Sequence, residues 1–120
     1  MVESQKILVV EHEPGERDPL LSVLSREFDV TGAGGGVEAA ERLRSDRYDL
    51  VLLGGLREGA DTQALQNGIC SSVPRPKVIL LAAAFTDEIL TRATLLQADG
   101  VLKSFDAEEV AASVAAHLGS

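Results

Sequence analysis

The sequence predicts an α/β domain, a parallel sheet with helices on both faces. Two observations carry this. Five strand-like apolar segments alternate with five helix-like ones, the order of linked βα units. The stretch Tyr48-Asp49-Leu50-Val51-Leu52-Leu53-Gly54-Gly55 also holds an apolar run with no polar alternation. A strand with one wet face alternates, so this one reads as a central strand covered on both sides. The run stops at a Gly-Gly pair, where an open α/β sheet presents the edge that carries ligands and chemistry. At that edge Gly54 brings no side chain.

The first strand is the apolar run 6–10, followed by the polar cluster Glu11-His12-Glu13-Pro14. The first helix should turn Leu20, Leu21, Leu24 and Phe28 inward. Asp18-Pro19 reads as its N-cap and first residue, with a break before Asp18, because a proline inside a helix costs about 3 kcal/mol. A short second strand, 29–31, leads through the glycine-rich turn 32–36 into a helix over 37–44. The central strand 49–53 follows, then a weak third helix over 61–67 with Gly68 near its end. Pro74 and Pro76 stop the chain before the fourth strand, 78–81. Thr86-Asp87-Glu88 starts a fourth helix that runs to about Gln97, with its acids favouring the helix dipole. Residues 100–102 form a short fifth strand, and Asp106 caps a last helix with Val110, Val114 and Leu118 on one face.

A length of 120 residues fits one domain over 1–120. No segment is long and apolar enough to span a membrane, and the start Met1-Val2-Glu3-Ser4-Gln5 lacks the pattern of a secretory signal. The single Cys70 cannot form an intrachain disulfide, which fits a reducing cytoplasm. A net charge of −8 disfavours binding to nucleic acid or anionic lipid. With three Phe, one Tyr and no Trp there is no aromatic platform for bases.

Several strings in this order resemble the receiver domain of two-component response regulators, over nearly the whole chain. Residues 6–14 resemble the family's opening strand and acidic pair. Val30, Ala33, Gly36, Glu38 and Ala39 resemble its turn into the second helix. Residues 48–53 resemble the strand that ends in the phosphorylated aspartate. Ala98-Asp99-Gly100 and Lys103-Ser104-Phe105-Asp106 resemble the last strand and the lysine-proline-phenylalanine corner. The resemblance implies a doubly wound, flavodoxin-like (βα)5 sheet in the order 2-1-3-4-5.

The departures from that pattern carry the functional expectation. The family's nucleophilic aspartate is matched by Gly54, which has nothing to phosphorylate. Its acid pair is matched by Glu11 and His12, which removes oxygen ligands that Mg²⁺ prefers. Its phosphate-sensing hydroxyl is matched by Ala82 and its aromatic switch residue by Val101. Lys103 is retained, and Ser104 stands where the proline would. The pocket Glu11, His12, Gly54, Ala82 and Lys103 therefore reads as degenerate, with Glu11 paired to Lys103 and His12 exposed.

Three sharper readings find less support. Glu11, His12 and Glu13 offer metal-ligating types, but no second His or Cys stands at ligand spacing. The glycines of 32–36 follow the second strand and lack the spacing of a dinucleotide fingerprint. Cys70 reads as a half-buried small residue and His117 as a favourable charge at a helix C-terminus. No catalytic trio can be assembled, so no enzyme activity, cofactor or metal is expected.

The expectation is a catalytically silent pseudo-receiver that signals through protein contacts. The resemblance places a partner or homodimer on the fourth helix, fifth strand and fifth helix, where Leu95, Val101, Phe105, Ala112 and Ala116 lie. The alternative is a small-molecule sensor using the space vacated at Gly54 and Ala82.

Overall fold

The computed structural model describes residues 5–54, 60–82, 84–103 and 106–118, with no side-chain description at 60 and 61. Five strands, β1 (Lys6–Val10), β2 (Asp29–Ala33), β3 (Leu50–Leu53), β4 (Lys77–Leu81) and β5 (Gly100–Leu102), form one parallel sheet in the order β2-β1-β3-β4-β5. Between and after them run α1 (Pro14–Leu24), α2 (Gly36–Ser45), α3 (Ala60–Ser71), α4 (Asp87–Leu95) and α5 (Ala107–His117). The expected α/β class and strand order are both present.

The unbroken apolar strands are explained by where alternate residues go. Leu8, Val10, Val51, Leu53, Val78 and Leu80 join one core with Ala39 and Leu43 of α2, Leu65 and Ile69 of α3, and Leu96 beyond α4. Ile7, Val9, Leu50, Leu52, Ile79 and Leu81 join the other, with Leu20 and Leu24 of α1 and Val110 and Val114 of α5. Successive strand side chains point to opposite faces, so a sheet covered on both sides needs an apolar residue at every position. At the rear edge, Asp49 Oδ2 accepts the Lys6 N–H at 2.7 Å and Asp99 Oδ2 accepts the Val78 N–H at 2.7 Å. These carboxylates satisfy strand-end amides that no neighbouring strand reaches.

Several boundaries differ from expectation. The first helix starts at Pro14, not Asp18, and carries Pro19 in its interior. Pro14 takes the first helical position, where its missing N–H is no loss, and the Glu13 carbonyl accepts Arg17 N–H at 2.9 Å. Pro19 then removes one bond just inside the second turn, which burial of Leu20 and Leu24 offsets. Phe28 lies past the helix end but still packs against the α1–α5 core. The second strand continues through Gly32 and Ala33, held by Val9↔Gly32 and Val10↔Ala33 pairing.

The third helix is longer than expected, and Gly68 is inside it. A β-carbon at Gly68 would lie 3.2 Å from Ala40 Cα and 3.3 Å from Leu43 Cδ1, so this glycine is where α3 presses onto α2. Cys70, on the same helix, is exposed and not half-buried.

The end of α4 is fastened by a residue outside it. Arg75 Nη2 donates to the carbonyls of Leu96, at 2.9 Å, and Gln97, at 2.6 Å. Gln97 takes φ 53°, the left-handed conformation that closes many helices. At the other end Thr86 caps the helix through its hydroxyl, 3.2 Å from the Ile89 N–H. At the C-terminal end of α5, His117 Nδ1 bonds the Ser113 carbonyl at 3.0 Å, and Lys77 Nζ donates to the His117 carbonyl at 2.6 Å. The His117 ring rests on β5, Nε2 lying 2.9 Å from where a Gly100 β-carbon would be, so it packs as well as favouring the dipole.

Two predictions follow from packing and charge. Gly68→Ala should destabilise the fold by about 1–3 kcal/mol in urea melts, since overpacking against backbone outweighs a helix-propensity gain of about 1 kcal/mol. Gly15→Ala, with nothing within 4 Å of the new carbon, should instead stabilise it by roughly 0.5–1 kcal/mol. The second concerns Lys6, whose ammonium hydrogen-bonds Asp46. That bond, helped by the Arg47 amide, holds the Asp46 carboxyl below its usual range, and Asp46 raises Lys6 in return. A depressed carboxylate contributes stability that is present above about pH 4 and fades as pH falls through its lowered value. Asp46→Asn should therefore flatten that part of the acid-unfolding curve, and added salt should shrink the difference between the two proteins.

Candidate functional site

The front edge of the sheet gathers residues from three strands. Gly54 N–H donates to the Val10 carbonyl at 2.8 Å, Glu11 N–H to Ala33 at 3.0 Å, and Ala82 N–H to Leu102 at 3.0 Å. These bonds extend the ladders one residue and set Glu11, Gly54 and Ala82 at the rim. Gly54 and Ala82 are buried, and Lys103 is exposed just beyond β5.

Glu11 is the one buried charged residue among those described, 3% exposed. Its Oε1 accepts the Glu13 N–H at 3.1 Å, and its carbonyl accepts Arg17 Nη1 at 2.9 Å. Its Oε2 lies 2.2 Å from the point a β-carbon on Gly54 would occupy, with Cδ at 3.1 Å from the same point. The glycine at the end of β3 is thus matched by a carboxylate that fills its side-chain space. Glu11 takes the side-chain space at Gly54, while Gly55 and Ala83, also expected to border a small-ligand pocket, lie outside the described residues.

His12 is half-buried, where exposure was expected. Its Nε2 is 3.2 Å from Glu13 Oε1, and its Nδ1 is 3.6 Å from Glu11 Oε1, too long for a hydrogen bond. Among the described residues the His12 ring lies beside Glu11, and no Glu11–Lys103 pair occurs. Lys103 is exposed just past β5.

Among the described residues the rim gives a Mg²⁺ ion few of the oxygen ligands it takes. The ion takes oxygen ligands in octahedral geometry, and here one buried carboxylate stands beside an imidazole and a glycine. Among the described residues no three His, Cys, Asp or Glu side chains form a cluster able to hold a metal.

The surface residues expected to form one contact patch are spread out. On α4, Ile89 and Ala93 face the sheet with Leu96, as expected. Leu95, 48% exposed, lies on the flank toward α3, where it lines a groove with Thr62, Gln63 and Gln66. Ala112 borders a groove between α5 and α1, beside Val23 and Phe28, while Ala116 is exposed on α5. Val101 is partly buried against the core beneath α2, α3 and α4. Phe105 and Ser104 lie outside the described residues. Leu90, 49% exposed and five residues before Leu95, falls on the opposite flank of α4, toward β5. The helical spacing of Ile89, Ala93 and Leu96 puts Leu90, about 100° round the helix from Ile89, outside the core stripe.

No family model and no curated protein matches this sequence. Solved structures do. The receiver domain protein (CheY-like) from Methanospirillum hungatei JF-1 is similar at TM-score 0.82 and 18% identity, over 97% of this chain and 94% of that one. The signal receiver domain of NarL from Mycobacterium tuberculosis aligns at TM-score 0.77 and 24% identity, over 99% of this chain and all of that one (100%). The response regulator TrrA from Thermotoga maritima, in complex with Mg(2+)-BeF, aligns at TM-score 0.74 and 29% identity, over 93% and 97%. The chain has the fold of CheY-like response regulator receiver domains.

If Glu11 and Gly54 share one space, their substitutions are coupled. Gly54→Ala should destabilise the protein by roughly 1–3 kcal/mol, and the loss should largely vanish in a Glu11→Ala background. A double-mutant cycle by urea denaturation measures this; additive losses would mean the two positions do not compete.

Proposed function

We propose that this chain is a phosphorylation-independent, receiver-like module of two-component signalling that regulates a partner or output domain through protein contacts. One observation supports this above others: at the end of β3, Gly54 supplies no acceptor oxygen, and the buried Glu11 carboxylate fills the space. Phosphoryl transfer to a receiver needs a nucleophile with an open approach and a divalent ion to neutralise charge. Neither requirement is met by Glu11, His12, Gly54, Ala82 and Lys103. The module carries out no catalysis and acts by presenting a surface.

The contact runs through α4, β5 and α5, where Leu90 takes the β5 flank that Leu95 does not occupy. The partner is a protein or a second copy of the chain. The net charge of −8 argues against direct nucleic-acid contact. No helix among the described residues is long and apolar enough to cross a membrane, and the proposed setting is the cytoplasm.

The experiment is incubation with acetyl phosphate and Mg²⁺, read by intact mass, and with beryllofluoride and Mg²⁺, read by amide NMR. The expected result is unchanged mass and unchanged spectra. A phosphoryl adduct, on Glu11 or elsewhere, would overturn the proposal.

A further inference from the structure

A second groove runs between α3 and α4. Its volume is about 410 Å³, within the range of small-molecule pockets, roughly 300–1,000 Å³. Thr62, Gln63 and Gln66 form the α3 wall, and Glu88, Thr91, Arg92 and Leu95 the α4 wall. The lining is uncharged hydrogen-bonding side chains apart from the Glu88–Arg92 pair, with Leu95 as its apolar element.

Arg92 is the telling residue. Its side chain is 12% exposed, yet among the described residues its one carboxylate partner is Glu88, at 3.4 Å from Nη2. A charge-assisted guanidinium–carboxylate bond is normally about 2.7–2.9 Å and often two-pronged. Glu88 itself is 64% exposed, so water competes for it, and an i,i+4 pair of this kind contributes only about 0.3–0.5 kcal/mol. Arg92 is therefore a largely desolvated guanidinium with a loose partner, and its five donors exceed what Glu88 accepts.

We propose that this groove binds a small carboxylic acid carrying a short apolar group. Its carboxylate displaces Glu88 and takes the guanidinium fork of Arg92. The Gln63 and Gln66 amides and the Thr91 hydroxyl serve the acid's remaining polar atoms, and its apolar group lies on Leu95. This binding is independent of the state of Gly54 and Glu11.

The probe is N-acetyl-leucine, titrated into the full chain and followed by amide NMR, with inorganic phosphate as the second arm. Saturable shifts at Gln63, Gln66, Thr91, Arg92 and Leu95 are expected. Arg92→Gln should weaken them at least tenfold, and Glu88→Gln should strengthen binding severalfold by removing the internal competitor. Spectra of both variants without probe show that each is folded. No saturable shifts with N-acetyl-leucine, equal binding by Arg92→Gln, weaker binding by Glu88→Gln, or shifts with phosphate alone would each overturn the proposal.

Discussion

Burial of the sheet on both faces is the constraint from which the rest follows. Because β1, β3 and β4 send alternate side chains into two separate cores, none of their positions can be polar until the strand ends. Chemistry is thereby confined to the rim, and the helices must divide, α2, α3 and α4 on one side, α1 and α5 on the other. Each apolar side chain buried this way contributes about 1.5–3 kcal/mol, so the scaffold stays fixed whatever its rim carries. The rim can therefore vary in its side chains while the sheet beneath it keeps its shape.

Within that frame, Glu11 occupies the space that Gly54 leaves at the end of β3. A missing side chain at Gly54 would leave a hole lined by polar strand ends. The carboxylate fills it while keeping the Glu13 amide as a hydrogen-bond donor, which buried charge requires. Glycine and glutamate act as a matched pair, one giving up volume that the other uses. Among the described residues, Glu11 and Gly54 pack against each other at the rim.

The sequence made the sheet legible because uninterrupted apolar runs leave few alternatives. The run 50–53 located the central strand, and Gly54 directly after it marked where the strand reaches the rim. Boundaries set by tertiary packing were harder. Asp18-Pro19 carries a strong local start signal, but Pro14 and the Glu13 carbonyl begin the helix a turn earlier. Gly68 looked like a stop because its role, close approach to Ala40, involves a distant residue. The partner of Glu11 was misjudged for a similar reason: charge suggested Lys103, while geometry gave His12 and the space over Gly54. Leu95 was rightly placed off the core stripe, but which flank it faced depended on where α3 lies.

The two ends of α4 are held by unequal means. Hydrogen bonds from a charged donor are worth about 1.5–3 kcal/mol each, and Arg75 makes two of them to the helix tail. A threonine cap is worth about 1 kcal/mol, and the 3.2 Å bond at Thr86 is the cap that α4 has at its head. By these magnitudes the tail of α4, at Leu96 and Gln97, is anchored more firmly than its head at Thr86.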